Sequence, residues 1–88
     1  MYIIDAQVRV SQINERFELN LPEDASNYET IGGLVFSKIG RIPRLGESIT
    51  TDEGVMLTVT KMRSRQILTI KMTLPEKTEE NTDTEKKD

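Results

Sequence analysis

The 88-residue chain contains no cysteine and no histidine. Without cysteine there is no disulfide framework and no thiolate metal site. Without histidine the commonest metal ligand and general base is missing as well. Nucleophilic catalysis by Ser11, Ser37, Ser48 or Ser64 would then need a lysine or carboxylate as base, and no serine is recognisably paired with one. No enzyme activity is expected. Long apolar runs are absent too: nothing approaches the roughly 20 residues of a membrane span. The first residues, MYIIDAQVRV, lack the basic region, apolar stretch and cleavage site of a signal peptide. The composition implies a soluble, intracellular chain with no direct membrane insertion.

An excess of positive charge is also missing. The formal net charge is -3, and all of it comes from the stretch PEKTEENTDTEKKD, which holds six acids and three lysines. Residues 1–74 balance nine acids with nine bases, so no basic stripe marks a nucleic-acid partner. The chain divides into a domain at 1–74 and a charged tail at 75–88 that is expected to be disordered. A domain this small hides only about 60% of the surface its unfolded chain exposes, so its core is thin and a partner surface can help to stabilise it.

Residues 2–10 alternate, with Tyr2, Ile4, Ala6, Val8 and Val10 on one face and Ile3, Asp5, Gln7 and Arg9 on the other, as in a half-buried strand. Ser11 is placed to cap a short helix that presents Ile13 and Phe17. Pro22 ends any continuation, leaving LNLPEDASN as a loop with Leu19 and Leu21 tucked into the core. Ser26 and Glu29 stand in a capping-box relation, so the main helix is expected to begin near Asn27. On it Tyr28, Ile31, Gly32, Leu34, Val35, Phe36 and Ile39 form one apolar arc, broken only by Lys38, with Glu29, Thr30, Gly33 and Ser37 opposite.

The adjacent glycines weaken the helix interior by about 1 kcal/mol each, so each implies a compensating contact or a local bend. Gly32 lies in the buried arc, where it permits close approach to the sheet. Gly33 lies on the polar side, where a loop, a second subunit or a ligand could approach; an intramolecular contact is the plainest case. The pair makes no phosphate fingerprint, because G-x-G-x-x-G is absent and the glycines fall inside a helix. Gly40 is a left-handed stop. Pro43 and Gly46 then turn the chain into a strand at 48–51, and strands around Val55–Thr60 and Ile67–Leu74 complete an antiparallel meander.

Lys38, Arg41 and Arg44 form the one concentrated basic patch, but a helix C-terminus disfavours an anion. These arginines are read as satisfying the last helical carbonyls and pairing with Glu47 or Asp52. Arg63 and Arg65 are hairpin-tip charges. The acid pairs Glu23/Asp24 and Asp52/Glu53 could serve a hard cation, yet adjacent acids in polar turns are usually solvated and no EF-hand spacing occurs. No metal ligand is assigned.

With these elements in place, the chain resembles the transporter-associated domain found at the C-terminus of CorC/HlyC-type membrane proteins, a family labelled hemolysins and related to CNNM magnesium and cobalt transporters. YIIDAQVRVSQIN, LNLPED, YETIGGLVFSKIGRIPRLGE and ILTIKM carry the resemblance. Ala6 and Glu18 depart from it, standing where the family usually has glycine. The resemblance implies an α+β fold, a small mostly antiparallel sheet with two helices on one face, similar to the small subdomain of flavin-binding oxidases.

The same resemblance implies an accessory role, modulating divalent-metal transport from the cytoplasmic side of the cell membrane, with the parent protein's membrane region and CBS domains as partners. Its signature residues here are Asp5, Tyr28, Thr30, Gly32, Gly33, Gly40, Pro43 and Gly46, with structural or contact roles. No cofactor is expected, although flavin adenine dinucleotide or another adenine nucleotide is an alternative by fold resemblance. Self-association as a homodimer, by edge-strand pairing or through the Gly33 face, is a second alternative. Despite the hemolysin label, the domain is expected to be non-lytic.

Overall fold

A computed structural model describes residues 1–24 and 26–75; the charged tail falls outside the described residues apart from Pro75. The elements are β1 (Tyr2–Asp5), α1 (Val10–Phe17), α2 (Ile31–Ile39), β2 (Ser48–Thr50), β3 (Met56–Arg63) and β4 (Gln66–Thr73). The strands form one sheet in the order β1-β4-β3-β2, with every pair antiparallel. The expected α+β architecture with a meander and two helices is what the chain adopts.

Pairing register assigns the faces. Ile4 lies opposite Ile70, Val59 opposite Ile70, Leu57 opposite Met72, and Ile49 opposite Leu57. These residues share the inner face. Ile31, Leu34 and Val35 of α2 and Val10 and Ile13 of α1 join the same buried cluster. Ile3, Thr58, Lys71 and Thr73 occupy the other face.

Several local expectations are corrected. The first strand stops at Asp5 instead of running to Val10. Asp5 Oδ1 accepts from the Gln7 amide at 2.8 Å and its carbonyl accepts from Val8 at 3.1 Å, which folds the chain into a turn. Ala6 and Val10 are buried as anticipated, but as a turn residue and the first residue of α1.

Both helix starts move. Arg9, not Ser11, is the N-cap of α1, and its backbone amide donates to Gln12 Oε1 at 3.4 Å. The main helix begins at Ile31, with Thr30 as N-cap in place of a box between Ser26 and Glu29. Asp24 captures the preceding segment: its carbonyl accepts from Asn27 and Tyr28, and its Oδ2 accepts from Asn27 Nδ2 at 2.7 Å. The next residues pair with the β1–α1 connection, Val10 donating to Glu29 and Ile31 to Val8. The Glu29 carbonyl, taken by Val10, is therefore not available to accept an intrahelical bond from Gly33.

The alternation of the final hairpin also breaks. The register shifts between Val59 and Lys61 and again between Lys61 and Met62, as a bulge does. Inward positions therefore jump from Val59 to Met62 on β3 and from Ile70 to Ile67 on β4, so Ile67 is buried and Lys61 reaches solvent. Phe36, expected within the apolar arc, lies at its rim and is 49% exposed.

Candidate functional site

The start of α2 gathers four of the eight singled-out residues, Tyr28, Thr30, Gly32 and Gly33. Thr30 has extended backbone (φ -104°, ψ 162°), and its hydroxyl accepts from the Gly33 amide at 3.1 Å. The first four amides of α2 all have intramolecular acceptors: Ile31 donates to Val8 at 2.8 Å, Gly32 to Ala6 at 3.0 Å, Gly33 to Thr30 Oγ1, and Leu34 to the Thr30 carbonyl at 2.9 Å. An anion at this helix start would have to displace one of them, since these are the groups such sites use.

The two glycines answer to different neighbours. A Cβ on Gly32 would sit 2.9 Å from Ala6 Cβ and 3.0 Å from the Ala6 carbonyl oxygen, so the close approach is to the turn after β1. A Cβ on Gly33 would sit 2.7 Å from Tyr28 Cβ and 3.3 Å from Thr30 Oγ1. Tyr28 is fixed in turn by its hydroxyl, which donates to the Pro22 carbonyl at 2.8 Å. Burial, and then the nearby Asp24 carboxylate, raise its phenol above the ordinary value of 10.0. A cleft of about 220 Å³ opens beside the pair, lined by Gln7, Gly33, Phe36, Pro43 and Arg65 among others.

Past the helix, Gly40 adopts the left-handed conformation at φ 80° and its amide closes on the Phe36 carbonyl at 2.9 Å. The following turn is held by Glu47. Its carboxylate pairs with the Arg41 guanidinium and accepts from the Arg44 backbone amide at 2.7 Å. The hydrogen bond from Arg41, then that from Arg44, draws the Glu47 carboxyl below its ordinary 4.5, and the same contact raises Arg41. Pro43 is buried inside this turn, and the Gly46 amide donates to Val59 at 2.8 Å, tying the turn to β3. Arg41 thus takes Glu47 and the Ile42 carbonyl as partners, not the last helical carbonyls.

Each acid pair has at least one member held in a structural hydrogen bond. Glu23 accepts from Asn14 Nδ2 at 2.7 Å, and Glu53 accepts from the Asn20 amide at 3.0 Å. Among the described residues no group of three acids is placed to hold a metal ion. Sequence reasoning passed over Asn14, whose side chain also brackets Leu21, accepting from its amide at 2.8 Å and donating to its carbonyl at 3.0 Å. An amide at a half-buried position of an amphipathic helix was the available signal.

The family model described as a transporter-associated domain, CorC_HlyC, matches residues 1–76. The chain belongs to that family. It is 35% identical over 75 residues to "Magnesium and cobalt efflux protein CorC" of Buchnera aphidicola, a match covering 85% of this chain and 25% of that protein. It is 33% identical over 72 residues to "Possible hemolysin C" of Rickettsia bellii, covering 82% of this chain and 24% of that protein. The chain therefore spans about a quarter of the length of these relatives. Among solved structures, a transporter-associated CorC_HlyC domain from Nitrosomonas europaea superposes with a TM-score of 0.72 at 25% identity, covering 83% of this chain and 85% of that one.

The geometry gives the signature Y-x-T-I-G-G-L-V plus G-R-I-P-x-x-G-E a physical meaning. Thr30 caps the helix, Gly32 admits Ala6, Gly33 admits Tyr28, Gly40 ends the helix, and Glu47 clamps the turn. Asp5 plays the corresponding part at the end of β1. These residues shape one helix and its two ends, and none is left holding a free reactive group.

Proposed function

We propose that this domain is a non-catalytic accessory module of a CorC/HlyC-type membrane protein, modulating divalent-metal transport from the cytoplasmic side. The observation that carries the reading is the family match across residues 1–76, together with the 35% identity to a magnesium and cobalt efflux protein. Among the described residues no helix is long and apolar enough to cross a membrane, so any transport path belongs to other parts of the parent protein. The engaged helix start supports a contact role over phosphate chemistry: a flavin or adenine dinucleotide held there would have to break an existing cap or backbone bond.

The test is removal of this domain from the full-length protein that carries it, followed by cellular magnesium and cobalt content and cobalt sensitivity. Altered sensitivity with unchanged expression and membrane insertion is expected. Metal handling identical to the intact protein under both limiting and toxic metal would reject a modulating role.

A further inference from the structure

Among the described residues β1 and β2 are the two edges of the sheet, and they differ. β2 is three residues long, whereas β1 is longer, and Tyr2–Asp5 contains no lysine, proline or bulge. Natural edge strands are blunted by shortness, charge, proline or bulges, and β1 has only its modest length and the Asp5 carboxylate at its last position. Apolar exposure concentrates here as well, with Met1 75%, Tyr2 43% and Ile3 65% exposed.

The ladder determines which β1 groups are free. The Ala6 amide donates to Leu68 at 3.0 Å, and backbone groups alternate sides along an antiparallel strand. Tyr2 and Ile4 therefore face β4, while Ile3 and Asp5 face outward. The Asp5 carbonyl is turned into the bond from Val8, which leaves the Ile3 N–H, the Ile3 C=O and the Asp5 N–H. A groove of about 500 Å³ lies between this edge and α1, lined by Tyr2, Val8, Ile13 and Phe17, with Asp5 and Arg16 as its charges. The Tyr2 and Phe17 rings pack at 4.7 Å between centroids.

We propose that this edge is an isologous interface: β1 pairs antiparallel with β1 of a second copy about a twofold axis at Ile3, joining two four-stranded sheets into one. In that register each Ile3 N–H donates to the other copy's Ile3 carbonyl, and each Asp5 N–H meets the other copy's Met1 carbonyl. Tyr2 lies opposite the second copy's Ile4 on the inner face, and the two Ile3 side chains meet on the outer face. A register centred on Ile4 would require the Asp5 carbonyl, which already accepts from Val8. The groove's one acid and one base balance, so a second copy meets no like-charge excess, and a strongly charged peptide finds no complementary field. A contact of one short strand is far below the roughly 1,200–2,000 Å² of stable interfaces, so pairing of this chain alone is weak and strengthens when copies are tethered.

The chain has no cysteine, so Ile3→Cys introduces a single thiol. Cα atoms of a hydrogen-bonded antiparallel pair are about 5.5 Å apart, within the roughly 4.4–6.8 Å a disulfide spans. Mild oxidation of Ile3→Cys should give a linked dimer, with at least tenfold less from Thr50→Cys on the opposite edge. Sedimentation of the cysteine-free chain up to about 1 mM, the weak end of specific affinity, should show mass rising towards twice the monomer.

Ile3→Pro removes only the outward donor and should abolish that rise while circular dichroism stays unchanged; Ile3→Lys provides the same readout if the proline variant does not fold. Constant monomer mass, equal cross-linking at Thr50, association that persists in a folded Ile3 variant, or an edge that binds only a segment of another protein would each overturn the proposal. None of these outcomes bears on the transport reading.

Discussion

Gly32 and Ala6 meet backbone to backbone: the Gly32 amide donates to the Ala6 carbonyl at 3.0 Å, and a Cβ on Gly32 would fall 2.9 Å from Ala6 Cβ. This contact locks α2 to the turn after β1. Gly32→Ala should destabilise the domain, because overpacking costs about 1–3 kcal/mol and exceeds the gain of about 1 kcal/mol in helix propensity. Adding Ala6→Gly removes the methyl clash but not the 3.0 Å approach to the carbonyl, so rescue should be partial. In urea denaturation the pair should deviate from additivity by about 0.5 kcal/mol or more. Additive losses would show that the two sites do not touch in the way described.

The Thr30 hydroxyl is the side-chain cap of α2. Thr30→Ala should lower stability by about 1 kcal/mol, and Thr30→Ser, which keeps the oxygen, should recover most of it. Hydrogen exchange at the Gly33 amide should accelerate in the alanine variant and not in the serine variant. Equal exchange in both would place the cap elsewhere.

What was legible in the sequence follows from how local each determinant is. The meander, the glycine stop at Gly40 and the packing of Leu21 depend on near neighbours or on simple alternation, and they were read from the residues. The start of α2 was misplaced because its amides bond to Val8 and Ala6, more than twenty positions away. Capping-box spacing at Ser26 and Glu29 carried no trace of that competition. The shift at Lys61 was hidden similarly, since a bulge is a property of two strands and not of either alone. At the candidate site, the signature residues could be picked out, but their neighbours could not: nothing in the spacing says that Gly33 answers to Tyr28.

Glu18 has left-handed backbone (φ 55°, ψ 47°) at the C-cap of α1, a conformation that favours glycine. A non-glycine residue there costs about 1–2 kcal/mol. Against this, glycine loses more chain entropy on folding, by about 0.4–1 kcal/mol. Glu18→Gly should therefore leave the domain more stable by about 0.5–1 kcal/mol. A raised Tm would support this assignment, and a Tm that falls would mean that Glu18 makes a stabilising contact the C-cap geometry does not reveal.

Glu47 sets the expected acid response of the turn after α2. Its folded carboxyl lies below the ordinary 4.5, because Arg41 and then the Arg44 amide hydrogen-bond to the ionised form. The unfolded chain thus holds this proton more tightly than the folded one. The stabilisation is complete above the unfolded value and is lost as pH falls through the lower folded value. Glu47→Gln keeps an acceptor for the Arg44 amide but removes the charge, so its Tm should be lower than that of the unsubstituted chain near neutrality. The two Tm curves should converge as the pH drops below 4.5. Both groups reach solvent, so salt should shrink the neutral-pH difference. Carboxyl chemical shifts followed against pH give the direct check: a Glu47 midpoint at or above 4.5 would mean that the Arg41 pair does not persist in solution.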